Sequence, residues 1–197
     1  MFAPASTFPT MSTNSITDRL PLGAGAGAGV AAYLLGYLLT YVWQSGSVEE
    51  RLEGYNLVTE LFGGEPIAVW QGVGWLFYNA HFVDTRIDAL GGTQSQNFIA
   101  GSDGGSLALL YLVPVVLLLA AGLLTARVAD ADEPVDGATA GVAIAVGYFP
   151  LALLGRFLFA YQGSAAPDLI TAALLAGFVY PLVFGAVGGA IGGVLGE

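Results

Sequence analysis

The sequence predicts an all-α polytopic membrane protein: four transmembrane helices forming two tandem hairpins, with a small, mainly helical extracellular insert between helices 1 and 2. Three observations predict it. Hydrophobic residues make up 55% of the 197 and charged residues 10%, against about 25% charged in a soluble domain, and mean hydropathy is +0.72. Four apolar runs reach the ~20 residues that cross a hydrocarbon core about 30 Å thick. Only the joint after the first run is long.

Residues 1–20 are rich in Ser, Thr, Pro and Ala without a hydrophobic period, which predicts a disordered cytoplasmic tail. Met11 is an alternative start to Met1. The next run has no basic n-region or A-x-A site and exceeds a signal h-region, so it is expected to be retained. It covers 22–43 and closes on Tyr37, Tyr41 and Trp43, residue types that favour a membrane interface. The other spans are expected at 107–128, 138–161 and 169–195. Arg19 before the first span and Arg127 at the end of the second point to cytoplasmic N- and C-termini. Residues 44–106 then form an extracellular cap, and the bundle with its cap occupies 21–197.

Within the cap, Val48–Phe62 spaces apolar residues as a helix does, with acids on the other face and Gly63-Gly64 as a stop. Pro66 suits the first turn of a second helix. Pro66–Phe82 is apolar and aromatic, but Ile67–Phe82 runs about 24 Å at 1.5 Å per residue, short of a crossing. It is expected to be the core of the cap. Val83–Ala89 and Gln96–Ala100, separated by Leu90-Gly91-Gly92, suggest a small hairpin.

The spans carry a tandem echo. Gly25-Ala-Gly-Ala-Gly-Val-Ala31 resembles Gly137-Ala-Thr-Ala-Gly-Val-Ala143, and Tyr111-Leu-Val-Pro114 resembles Phe178-Val-Tyr-Pro181. If these mark a repeat, two parallel hairpins are expected about an axis along the membrane normal. Gly25 and Gly29, and Gly185, Gly189 and Gly193, recur every four residues, a glycine-zipper spacing that lets helix backbones approach. Packing of the first and fourth helices, or of protomers, is expected from them; a Gly-lined permeation path is the lesser reading. Pro114, Pro150 and Pro181 each remove an interior hydrogen bond and predict kinks.

Few residues offer chemistry. Arg156 is the one charge well inside a span, where an ion is costly and usually paired or functional. Asp168 and the acids of the insert are its candidate partners, in a clasp between bundle and cap, with an anion site as the alternative. His81 is the only histidine; with Asp84 and Asp88 it spells out no convergent metal set, so no metal or cofactor is expected. Trp70, Trp75 and Tyr78 give the same segment an aromatic surface suited to a cap core or, less readily, a ligand groove. The spans hold no Asp or Glu for a proton relay, and no hydrolase, zinc-protease or P-loop motif is present.

Charge narrows the partners. Fifteen acids face five Arg/Lys, all five of them arginine, and the pI is about 4.1. Neither nucleic acid nor anionic lipid headgroups are expected as partners, because both need clustered Lys or Arg. An acidic, Lys-free chain suits a halophilic archaeon, whose high salt screens self-repulsion. Without cysteine, disulfides and thiolate chemistry are excluded.

With the Gly-rich first span and four-span layout, the stretch Gly74-Trp-Leu-Phe-Tyr-Asn-Ala-His-Phe82 resembles uncharacterised transmembrane proteins of haloarchaea. The resemblance implies a multi-pass protein of a halophilic cell membrane and brings no activity. The expected function is structural or accessory and non-enzymatic: in the lipid bilayer, cap and Gly-striped helices mediate homo-oligomerisation or binding of a membrane-protein partner. The alternative is a small oligomeric channel or transporter with Arg156 near the path.

Overall fold

The computed structural model describes residues 21–89, 91–102 and 105–196; the expected tail disorder and Arg19 lie outside them. Four helices are long and apolar enough to cross a membrane: Leu22–Leu61, Gly105–Val128, Pro134–Leu158 and Leu169–Val194. The ends near Leu22, Val128 and Val194 define a terminal side, and the opposite, insert side carries the long joint.

Helix α1 (Leu22–Leu61) is a single helix of 40 residues, about 60 Å at 1.5 Å per residue. The break expected after Trp43 is absent. Gln44–Ser47 contains no proline, and isolated glycines such as Gly46 and Gly54 cost only about 1 kcal/mol each relative to alanine. Buried Gln44 and Val48 tie this region to the bundle. The helix stops at Phe62, where Gly63 takes φ 76°. The chain then returns along the stalk, because the Asn56 side chain brackets Ile67. Its amide donates to the Ile67 carbonyl (3.0 Å), and its oxygen accepts from the Ile67 N–H (2.8 Å).

Helix α2 (Val69–Asn79) follows, then strands β1 (Thr85–Ala89) and β2 (Gly92–Gln96). The second strand begins four residues before the expected Gln96, where Gly92 at φ 114° reverses the chain. Strand β3 (Ala165–Pro167), from the joint between the third and fourth spans, completes a sheet of order β2-β1-β3. Thr85 pairs with Gln96 on one side and Pro167 on the other. Pro167, which has no N–H to donate, sits on the edge strand as sheet geometry requires.

Of the three prolines expected to kink a span, Pro114 and Pro181 lie within a few residues of a departure from α-helix, whereas Pro150 sits inside regular helix. A 3₁₀ turn, Gly105–Tyr111, precedes α3 (Leu112–Val128), whose third residue is Pro114. The third span comprises α4 (Pro134–Gly141), a 3₁₀ turn Val142–Ile144 and α5 (Ala145–Leu158), which contains Pro150. The fourth comprises α6 (Leu169–Thr171), a π-helical stretch Ala172–Val179 and α7 (Tyr180–Val194), with Pro181 at its second position. A proline displaces the carbonyl four residues back, and for Pro181 that residue, Gly177, lies in the π stretch.

The first span packs on the second and third, and the fourth packs on the second and third. First and fourth are therefore diagonal, which corrects the expected contact between their Gly stripes. Like-numbered helices of the two hairpins are neighbours, whereas a two-fold along the normal would set them diagonally, so the expected axis is also corrected. Gly25 and Gly29 lie against Ala143 and Ile144; Gly185 and Gly189 lie against Gly141 and Gly137, and Gly193 against Glu133. A Cβ at Gly189 would drive into the Gly137 carbonyl, and one at Gly188 into that of Leu119. These backbone-to-backbone contacts close the terminal half of the bundle.

Candidate functional site

The insert side is built around α2, which runs antiparallel to α1 and ends among the spans. Two missing side chains admit it. A Cβ at Gly72 would lie 2.7 Å from Val48 Cγ1, and one at Gly74 would enter the Phe159 ring. The helix is thus wedged between the α1 stalk and the end of the third span. Residues Gln71, Trp75 and Tyr78, at helical spacing on one face, form polar ties to that span. The Gln71 amide donates to the Ala160 carbonyl (2.9 Å), and Trp75 Nε1–H donates to that of Phe159 (2.8 Å). Both acceptors lie just past the end of α5, where carbonyls have lost their i+4 donors. The Tyr78 hydroxyl donates to the Ala152 carbonyl, and the Tyr33 hydroxyl lies 3.2 Å from it. Gly155 leaves room for both hydroxyls.

Pro66–Phe82 belongs to the insert, but its apolar surface is buried against the spans and not in a separate cap core. Trp75 and Tyr78 are buried and Trp70 is partly exposed, with the Tyr37 hydroxyl donating to its carbonyl (3.1 Å). Tyr78 therefore faces inward and offers no external ligand groove, whereas Trp75, though largely buried, borders a groove at the base of α1.

His81 lies at the deep end of this wedge, fully buried. Its Nδ1 is 2.8 Å from the Phe77 carbonyl and its Nε2 is 2.7 Å from the Tyr148 hydroxyl. A carbonyl only accepts, so Nδ1 carries the proton; in the neutral ring Nε2 then accepts from Tyr148 O–H. Tyr148 is ten residues, about 15 Å, inside the Leu158 end of α5. The Tyr180 ring closes the opposite side at 5.0 Å between centroids. One imidazole thus joins α2, the third span and the fourth. Phe82, which follows, takes φ 57°, a left-handed conformation unusual for a bulky residue, and stacks on Tyr111 at 4.6 Å. Among the described residues, no group of three His, Asp or Glu side chains can hold a metal ion.

Arg156 and Asp168 do not form the expected clasp. Asp168 pairs with Arg86 of β1 at 3.1 Å, because the β1–β3 ladder brings Arg86 opposite Ala166. It also caps the fourth span, accepting from the Thr171 N–H (3.0 Å) and hydroxyl (2.9 Å). Burial pushes the Asp168 carboxyl up, but the Thr171 donors and the Arg86 guanidinium outweigh it and hold the carboxyl below 3.8. A depressed carboxyl contributes stability above its unfolded value and loses it as pH falls through the folded one. Asp168→Asn is therefore expected to lower the melting temperature near neutral pH, with the difference from the parent shrinking below pH 3.8. A pH-independent difference would show that the charge is not what acts.

Arg156 instead lines a polar cavity of about 220 Å³ with Arg86, Asp88, Thr93, Gly163 and Ser164. Sequence reasoning singled out Arg156 but missed Arg86, Tyr33, Tyr148 and Gly155. The signal for Arg86 was its place in a strand beside a short span joint; for the others no local signal exists, since tyrosine and glycine are common in spans.

Four apolar helices with a polar cavity and an inserted helix on one side define a multi-pass membrane protein. A family model matches residues 5–196, and the chain belongs to that family of unknown function, DUF7978. No curated protein and no solved structure matches it at a significant level.

Proposed function

We propose that this is a non-enzymatic, structural or accessory protein of a halophile's cell membrane, whose insert-side stalk binds another polypeptide. The observation that carries this reading is the length of α1, about twice the 30 Å needed to cross a hydrocarbon core. Its outer part exposes Tyr55, Leu57, Val58 and Leu61, and Phe62 at its end is 88% exposed. Scattered exposed apolar residues are ordinary, but a contiguous set marks an interaction surface. At the base of the stalk opens a mostly apolar groove of about 110 Å³, lined by Val48, Leu52, Trp75, Leu76, Phe98 and Leu107 among others. The glycine stripes do not support oligomerisation, since contacts inside the chain already fill them. The same contacts argue against a channel within one copy. Arg127 on the terminal side supports cytoplasmic termini and an extracellular insert.

The chain has no cysteine, so Leu57→Cys is a unique handle. A membrane-impermeant, thiol-directed photo-crosslinker applied to intact cells is expected to label it and yield a discrete protein adduct. Mass spectrometry then tells a second copy from a different chain. Labelling only after the membrane is opened would overturn the orientation; labelling without an adduct would overturn partner binding.

A further inference from the structure

The Arg156 side chain is half-buried, with Nε fully buried and without a hydrogen-bond partner. Among the described residues, no carboxylate lies within 4 Å of its guanidinium. Asp88, which lines the cavity, and Asp168, the partner expected for Arg156, are already engaged. Asp88 accepts from the Thr93 hydroxyl at 2.6 Å, and Asp168 is held by Arg86 and Thr171. The guanidinium lies over the Phe157 ring, 5.1 Å from its centroid, a cation–π contact that leaves Nε without an acceptor. An ion near the end of an apolar span is usually paired or functional. The remaining polar lining is Arg86, the Gly163 backbone and Ser164. The Ser164 hydroxyl and N–H both donate to the Tyr161 carbonyl, so the two arginines carry the donors left for a ligand.

We propose that this cavity binds a phosphate group, held by Arg156 and by the free edge of Arg86. A planar guanidinium matches two oxygens of a phosphate, while a ligand hydroxyl, the P–OH of hydrogen phosphate or an alcohol of a headgroup, can donate to Asp88. Arg156 lies two residues inside the Leu158 end of α5, beside the exposed apolar Phe157 and Leu158. That is the rim of the apolar belt, so the group can come from a lipid headgroup or from free phosphate in solution.

The test uses the full chain with Arg156→Gln and Arg156→Lys. In detergent, inorganic phosphate is titrated against chloride at equal ionic strength and the melting temperature followed, since a ligand specific for the native state raises it. In a second arm, nanodiscs of a phosphate-free glycolipid are compared with the same discs containing phosphatidylglycerol. The parent is expected to gain thermal stability in at least one arm. Arg156→Gln is expected to weaken that binding by about tenfold or more, and Arg156→Lys, which keeps the charge, to retain part of it. A response in detergent alone assigns a free phosphate, and one in nanodiscs alone a headgroup. No response in either arm, or an equal response in parent and Arg156→Gln, would overturn the site. Circular dichroism of the unliganded variants separates lost binding from lost fold.

Discussion

Replacing Gly189 with leucine is expected to destabilise the bundle by about 3 kcal/mol or more, at or beyond the upper end of ordinary overpacking. The position has no room even for a methyl group. A Cβ there would meet the Gly137 carbonyl, and the Cα of Gly141 is 2.9 Å away. Both neighbours are backbone of the third span, so relief requires a helix to move, not a side chain to turn. Gly27→Leu is the control, because nothing lies within 4 Å of its added Cβ and leucine is the better helix former. Reversible denaturation in detergent is expected to leave Gly27→Leu at or slightly above the parent and to shift Gly189→Leu far below it. Equal stability of the two variants would mean that the close approach of α4 and α7 does not exist in solution.

His81→Leu is expected to cost about 2–3 kcal/mol, because it strands two buried groups: the Tyr148 hydroxyl and the Phe77 carbonyl. A buried polar group without a partner costs about 1–3 kcal/mol. Tyr148→Phe alone removes one donor and leaves Nε2 unpaired, at about 1–2 kcal/mol on the same scale. The double variant removes both ends of that bond and is expected to lie closer to His81→Leu than the sum of the two losses predicts. A double-mutant cycle on denaturation free energies measures this coupling, expected at about 1 kcal/mol. Strict additivity would mean that the imidazole does not tie α2 to the third span, and that the wedge rests on Gln71, Trp75 and Tyr78 alone.

The spans could be read from the sequence because their signal is local. A bilayer demands about 20 consecutive apolar residues, and the observed ends of the second and fourth spans fall within two residues of the expected ones. The end of α1 could not be read in the same way. Gln44-Ser-Gly-Ser47 has the composition of a loop, yet helix continuation depends on whether the backbone meets a proline or a competing partner, and it meets neither. Arg156 showed itself as an ion in an apolar run. Its missing partner did not, because Asp168 is taken by Arg86, a residue 82 positions away that only strand pairing brings to it.

The aromatic stretch Pro66–Phe82 marks the same division. Composition and length alone determined that Pro66–Phe82 is apolar, helical in large part and too short to span. They also determined that the chain is a four-span membrane protein of strongly acidic charge. Where the stretch goes was decided by tertiary structure. Aromatic residues suit an interface, a cap or a bundle interior equally well, and the choice rests on fit between distant segments. Gly72 and Gly74 let α2 slide between Val48 and Phe159, Gly155 leaves space for two tyrosine hydroxyls, and Tyr148 meets His81 across 67 residues. Such complementarity is a property of pairs of surfaces, and a linear sequence states each surface without stating its partner.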